Sequence, residues 1–349
     1  MIRKISLFLL AFCAVAMAAA AEYQVLALGD IHYDNAQYHP SNEGNKWQMN
    51  ERSRYLKMWR GASPELLTSA AAMLNDSFPF VIQLGDFVQG DSDTGELQQQ
   101  LVQEAFSKVK GFFPNHKLLA IKGNHDYRLL KSYDHAPYET AFMPLIAKEL
   151  GRPSLDTFYT VRHGKDLFLF FDCTKDAKTA VAFVEKALQE NQDARYVFFL
   201  THYPVFPCYH NTPGGVIPGR DKIRKMLAAR NAIILSAHTH IPSFISVDLP
   251  EGNLTQLTVS SMGDTWAPQT KPAVEDPDYA SFRTKIPAKV LTKAHQKTVV
   301  EEMEQFRIRE YTRYTTNSGF AILKIDDQGV TAEIHADKSG TPWLVKKLR

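Results

Sequence analysis

Six short apolar runs, separated by stretches of helical periodicity, restrict this chain to few architectures. They are Tyr23 to Gly29, Phe80 to Gly85, Leu118 to Gly123, Leu167 to Asp172, Tyr196 to Thr201 and Ala232 to Ala237. Runs of that length bounded by Gly or polar residues read as buried strands. Between them, Ser63 serves as an N-cap with Pro64 at the first helical position, opening a helix through Leu66, Leu67, Ala70 and Leu74. Further helical patterns cover Glu96 to Lys110, Tyr138 to Leu150, Ala177 to Glu190 and Asp221 to Arg230. Apolar strands alternating with amphipathic helices indicate a layered α/β fold.

Later stretches, Ser243 to Leu249, Leu254 to Ser261, Gly319 to Ile325 and Gly329 to His335, are short and strand-like with hairpin spacing. A partly antiparallel sheet accommodates them. Two segments fit neither pattern. Residues 33–60 are polar and aromatic, and residues 268–317 carry Pro, charge and one long helical pattern from about Ala288 to Gln305. Both read as insertions in a single domain spanning 22–349, of the kind that form lids or binding segments.

Five of the apolar runs end in a metal-ligating side chain. Asp30 and His32 follow the first, Asp86 the second, Asn124 and His125 the third, His202 the fifth, and His238 and His240 the sixth. Ligands of α/β sheets bind outside the carboxyl ends of the strands, so these blocks are expected to converge on one crevice. One such block would be a polar residue leaving a strand at the surface; five in a row favour a metal site. Asp, Asn and His without Cys argue against a closed structural zinc site. Two Asp, one Asn and four His are too many for one ion and suit two, the clamp used for phosphoester cleavage. The donor types accept Zn, Fe, Mn or Ni, divalent or trivalent.

In this order, Asp30-x-His32, Gly85-Asp86, Gly123-Asn124-His125-Asp126, His202 and His238-x-His240 resemble the five blocks of the calcineurin-like metallophosphoesterases. The resemblance implies a four-layer αββα sandwich of two mixed β-sheets with helices outside. It implies that Asp30, His32 and His240 hold one metal, that Asn124, His202 and His238 hold the other, and that Asp86 bridges them. His125 would stay off the metals and face the substrate as proton donor, with Asp126 orienting its ring. The nucleophile would be the metal-bridging hydroxide, because water between two cations loses proton affinity. Ala237 departs from the family's usual Gly. His32 and Gln89 stand where the purple acid phosphatase branch carries Gly and Tyr. Asp30 to Asp34, with Gly123 to Tyr127, is also weakly similar to acid-sphingomyelinase-like phosphodiesterases. The expected activity is phosphoester hydrolysis, by a phosphatase acting on monoesters or a phosphodiesterase acting on diesters; the alternative is a protein of this fold that binds metal or phosphate without turnover.

Arg3 and Lys4, an apolar run from Ile5 to Ala16, and Ala18 to Ala21 form a signal peptide over 1–21. The chain is therefore expected to be secreted or periplasmic, with no membrane span once the signal is removed. The net charge of +2, with dispersed Lys and Arg, gives no nucleic-acid-binding stripe and leaves a small-molecule phosphoester as the expected partner. The oligomeric state is open. Cys173 and Cys208 are the cysteines beyond the signal, and one bridge between them is compatible with an oxidising compartment. The loop Tyr203 to Arg220, with Tyr209, His210 and Gly214-Gly215, is expected to shape the substrate pocket.

Overall fold

The computed structural model describes residues 22–207, 216–263, 305–313, 318–336 and 339–349. The signal segment, Cys208, Tyr209, His210, Gly214-Gly215 and the helical pattern from Ala288 to Gln305 lie outside the described residues, apart from Gln305 itself.

Two mixed β-sheets face one another, with helices outside. The first comprises β1 (Tyr23–Leu28), β2 (Phe80–Gln83), β3 (Lys117–Ala120), β11 (Phe320–Asp326), β12 (Gly329–His335) and β13 (Leu344–Lys347), in the order β13-β12-β11-β1-β2-β3. The second comprises β4 (Tyr159–His163), β5 (Asp166–Phe170), β6 (Val197–Leu200), β7 (Ile233–Ser236), β8 (Ser243–Leu249), β9 (Gly252–Thr258) and β10 (Arg307–Arg313), in the order β10-β8-β9-β7-β6-β5-β4. β1, β2 and β3 run parallel, as do β5, β6, β7 and β9. Antiparallel partners flank both groups.

The period-2 alternation of a strand explains why the parallel strands read as unbroken apolar runs: both their faces are covered. In β5 and β6, Phe168, Phe170, Phe198 and Leu200 point between the sheets. Their neighbours Leu167, Leu169, Val197 and Phe199 pack instead with Val184 and Leu188 of α5 (Ala177–Glu190) and with Ile223 and Leu227 of α6 (Arg220–Ala228). On the first sheet's outer side lie α2 (Ala62–Ala72), α3 (Gly95–Phe112) and α4 (Met143–Glu149), represented in the core by Leu67, Leu101, Val102 and Ile146.

Several sequence expectations need correction. Gly61, not Ser63, is the N-cap of α2, and Ser63 is buried inside the first turn. The pattern from Tyr138 begins as a π-helical turn, Tyr138–Phe142, before α4. Residues 33–60 are not irregular, since they contain a helix, α1 (Lys46–Trp59), closed by an Asn45–Gln48 capping box. Its buried positions, Gln48, Arg52, Tyr55 and Met58, have helical spacing but half of them are polar, which conceals the period from a hydrophobicity reading. β4, β10 and β13 were also hidden; all three are edge strands, and β10 and β13 are rich in charge.

Candidate metal centre

All five ligand blocks leave the carboxyl ends of adjacent parallel strands, and the structure brings them together between the sheets. Asp30 and His32 follow β1, Asp86 follows β2 and Asn124 follows β3; His202 follows β6, and His238 and His240 follow β7. One sheet thus contributes both carboxylates and the amide, and the other contributes three imidazoles. The strand-to-loop turns are tight. His32, Asp86, His238 and His240 all have left-handed backbone, with φ of 48°, 52°, 70° and 54°. Conformations of this kind cost a non-glycine residue about 1–3 kcal/mol each and persist only when the surroundings impose them. Glycine precedes three of the blocks for steric reasons, and a Cβ on Gly29 would lie 2.0 Å from the Ser260 carbonyl oxygen. A Cβ on Gly85 would lie 2.6 Å from His202 Nδ1, and one on Gly123 would lie 2.1 Å from Asp86 N. Ala237 is fully buried, and its backbone is outside the left-handed region, so its Cβ carries no φ strain.

The facing atoms are rich in lone pairs and poor in protons. His202 Nδ1 is 2.9 Å from the Leu84 carbonyl oxygen, to which it donates. Its Nε2 then stands 3.1 Å from Asn124 Oδ1, 3.2 Å from His238 Nδ1 and 3.3 Å from Asp86 Oδ2. On the other side, His32 Nε2 is 3.1 Å from His240 Nε2 and 3.8 Å from Asp86 Oδ2, and His240 Nε2 is 3.7 Å from Asp30 Oδ1. Two ligands bound at about 2.0–2.1 Å to one ion stand roughly 3 Å apart, which is the spacing of these pairs. Ligand atoms of Asp30, His32 and His240 lie within 4.8 Å of one another, as do those of Asp86, His202 and His238. A histidine whose second nitrogen is anchored on a backbone carbonyl, as His202 is, is the usual form of a metal ligand. The buried His32 Nδ1 and His238 Nε2 have no hydrogen-bond partner. These residues fit cations.

Protonation reports the same demand. Burial disfavours a charged His202, but the Asp86 and Asp30 carboxylates outweigh it and push its pKa up to about 9. His32 and His238 are held well below the ordinary value, first by burial and then by neighbouring imidazoles. Without a cation, the cluster takes its positive charge from one imidazole.

His125 borders this cluster, its Nε2 4.0 Å from Asp86 Oδ2. Its ring is not oriented by Asp126, contrary to the expectation from sequence. Asp126 turns back into its own loop, where its carboxylate accepts the N–H groups of Gly123 at 2.7 Å, Phe87 at 2.8 Å and Val88 at 3.0 Å. That carboxylate fastens the β2 and β3 turns together. The ring of His125 is fixed by the Gln89 carbonyl, 2.8 Å from Nδ1. Arg128 Nη1 lies 3.3 Å from Nε2 and can only donate, so Nδ1 carries the proton and Nε2 accepts. Burial and then the Arg128 guanidinium pull the His125 pKa down to about 3.

Several neighbours carried no signal in the sequence. Tyr55 of α1 stacks on His32, with ring centroids 4.0 Å apart, and Tyr203 packs edge-on against His238 at 4.7 Å. Glu51, Asp91 and Arg128 form a buried ion cluster beside His125. Their partners lie 37 and 77 residues apart in the chain, a spacing that no local motif reveals. Cys173 is a free, buried thiol, its Sγ 3.9 Å from the Lys122 carbonyl oxygen; its expected partner Cys208 is outside the described residues.

Strand-end carboxylates and imidazoles gathered between two sheets define a metal-binding α/β sandwich. A model of the calcineurin-like phosphoesterase family matches residues 23–242, and the chain belongs to that family. Among solved structures, a dimetal phosphatase from Danio rerio is similar over 95% of this chain and 100% of its own, with a TM-score of 0.54 and 11% identity. GAP50, described as the anchor in the inner membrane complex of Plasmodium, is similar over 94% and 89%, with a TM-score of 0.51 and 11% identity. At such identity the likeness concerns the fold. No curated protein matches the chain in sequence. Among the described residues, no helix is long and apolar enough to cross a membrane.

Proposed function

We propose that this chain is an exported, dinuclear-metal-dependent hydrolase of small phosphoesters. The observation that carries the reading is a chain of overlapping ligand groups, Asp30-His32-His240, His32-Asp86-His125 and Asp86-His202-His238, with Asp86 in two of them. Asp30, His32 and His240 would hold one ion, Asn124, His202 and His238 the other, and Asp86 would serve both. Two such ions supply an acidified water and neutralise charge on the attacking and leaving oxygens. The protein's own part is to hold its ligands in a strained, preorganised backbone and to keep one face dry with Tyr55 and Tyr203. Export is read from the signal-like residues 1–21, and N-terminal sequencing of the mature protein should begin near Glu22.

The first test is Asp86→Ala. Wild-type protein should hydrolyse p-nitrophenyl phosphate or its bis-ester and contain two transition metal ions by elemental analysis; the variant should lose both ions together with turnover. Active protein holding a single tight ion would defeat the dinuclear reading, and ion-loaded protein without turnover would favour a binding protein.

His125 is assigned to orientation rather than to proton donation, because its Nδ1–H is held by the Gln89 carbonyl while burial, the Arg128 guanidinium and any added cation all lower the proton affinity of Nε2. His125→Ala should keep both ions and lose turnover on alkyl and nitrophenyl esters to a similar degree. A loss concentrated on alkyl esters, whose leaving oxygen needs a proton, would make it the general acid instead.

A further inference from the structure

We propose that Arg128 grips the phosphoryl oxygens of the substrate, an assignment that rests on the hydrolase reading above. Arg128 is buried, with 7% of its surface exposed. Its Nη2 is 2.8 Å from Asp91 Oδ2 and 3.0 Å from Glu51 Oε2, so two carboxylates fix the orientation of the fork. The Trp47 ring covers one guanidinium face, 4.7 Å from the central carbon. The other terminal nitrogen, Nη1, is turned toward His125 Nε2, which is itself 4.0 Å from the shared ligand Asp86.

Burying a guanidinium is expensive, and carboxylate partners offset that cost only when the geometry is good. Here the outlay leaves Nη1 aimed at the edge of the metal crevice, while the buried Nε has no hydrogen-bond partner. An imidazole nitrogen at 3.3 Å is a weak partner for such a donor. A phosphoryl oxygen is a much stronger one, being anionic and matched to the guanidinium fork. An anion seated against the metals beside Asp86 would therefore take over the Nη1 bond from His125. α1 supplies both Trp47 and Glu51, which gives this helix a reason to lie against the crevice. The rival role is a clip, in which Arg128 merely joins α1 to the loop after β3. A clip needs only the Glu51 and Asp91 contacts and leaves the direction of Nη1 without purpose.

The experiment uses the full mature chain loaded with metal, inorganic phosphate as the probe, and p-nitrophenyl phosphate as the reporter. Arg128→Lys should keep both ions and the melting temperature, while the inhibition constant for phosphate and the KM rise about 10- to 100-fold, the range for a lost charge-assisted bond. Trp47→Leu, at a half-exposed position, leaves the guanidinium in place and should raise the same constant about 2- to 5-fold. Lys131→Gln, which removes an exposed nearby cation, should leave it unchanged. A lowered melting temperature with an unchanged phosphate constant in Arg128→Lys and Trp47→Leu would establish the clip and overturn the assignment. Wild-type protein that neither binds phosphate nor turns over would overturn the hydrolase reading, and this assignment with it.

Discussion

Two of the buried polar clusters that join the sheets are neutralised in opposite ways. The metal crevice gathers Asp30, Asp86, Asn124 and four imidazoles, with no lysine or arginine among them. A second cluster lies one residue before the Gly123 turn. Lys122 Nζ is 2.9 Å from Asp172 Oδ2, an ion contact without hydrogen-bond alignment, and both side chains are fully buried. Thr174 donates to the other oxygen of Asp172 from both N, at 2.9 Å, and Oγ1, at 2.6 Å. Glu139 approaches Lys122 at 3.5 Å and Lys175 at 2.8 Å. The second cluster carries its own counter-charge in lysine; the first has only a proton on His202 unless a cation is imported. A self-neutralised pair is architecture, whereas an unneutralised one is a site.

The largest expected effect follows directly. Chelation should lower the unfolding midpoint strongly, since each ion held at a thousand times its Kd contributes about 4 kcal/mol. Calorimetry with and without chelator reads this, and an unchanged midpoint would mean that the crevice does not depend on imported charge.

Next in size is Asp172→Asn, which leaves the Lys122 ammonium buried beside a neutral group. It should cost about 3–5 kcal/mol in urea unfolding, equally with and without chelator. Burial alone would raise the Asp172 pKa, but Lys122 and Thr174 outweigh it and hold it below the usual carboxylate value. The sign is therefore that of an ordinary paired acid. The contribution is present above about pH 4 and drains away as the pH falls through the lower folded value. Urea midpoints of wild type and variant should accordingly converge in acid. The smallest effect belongs to Lys122→Met combined with Asp172→Leu, expected to stay within about 1 kcal/mol of wild type or to exceed it. A large loss in that double variant would show that the pair does more than neutralise itself.

The ligands were legible in the sequence because parallel strands covered on both faces advertise themselves as apolar runs, and each block sits at the end of one. Gly85-Asp86 and Gly123-Asn124 also show their turns directly. What surrounds the ligands was not legible. Tyr55 reaches His32 from a helix whose buried stripe includes Gln48 and Arg52, so hydrophobic periodicity passes over it. Asp126 looked like an orienting carboxylate by its adjacency to His125, but loop geometry turned it toward three backbone N–H groups instead. Edge strands β10 and β13 carry too much charge to signal themselves, and β4 is only five residues long with two of them buried.

The span between ligands has a kinetic consequence. His32 and His240 meet across 208 positions of chain, one bringing the start of the first sheet and the other the middle of the second. Contacts of such high sequence separation form late, after the entropy of closing long loops has been overcome. A half-built domain would not present the crevice, so ion uptake would report that folding is nearly complete, and the ions available where the chain finishes folding would be the ones it takes.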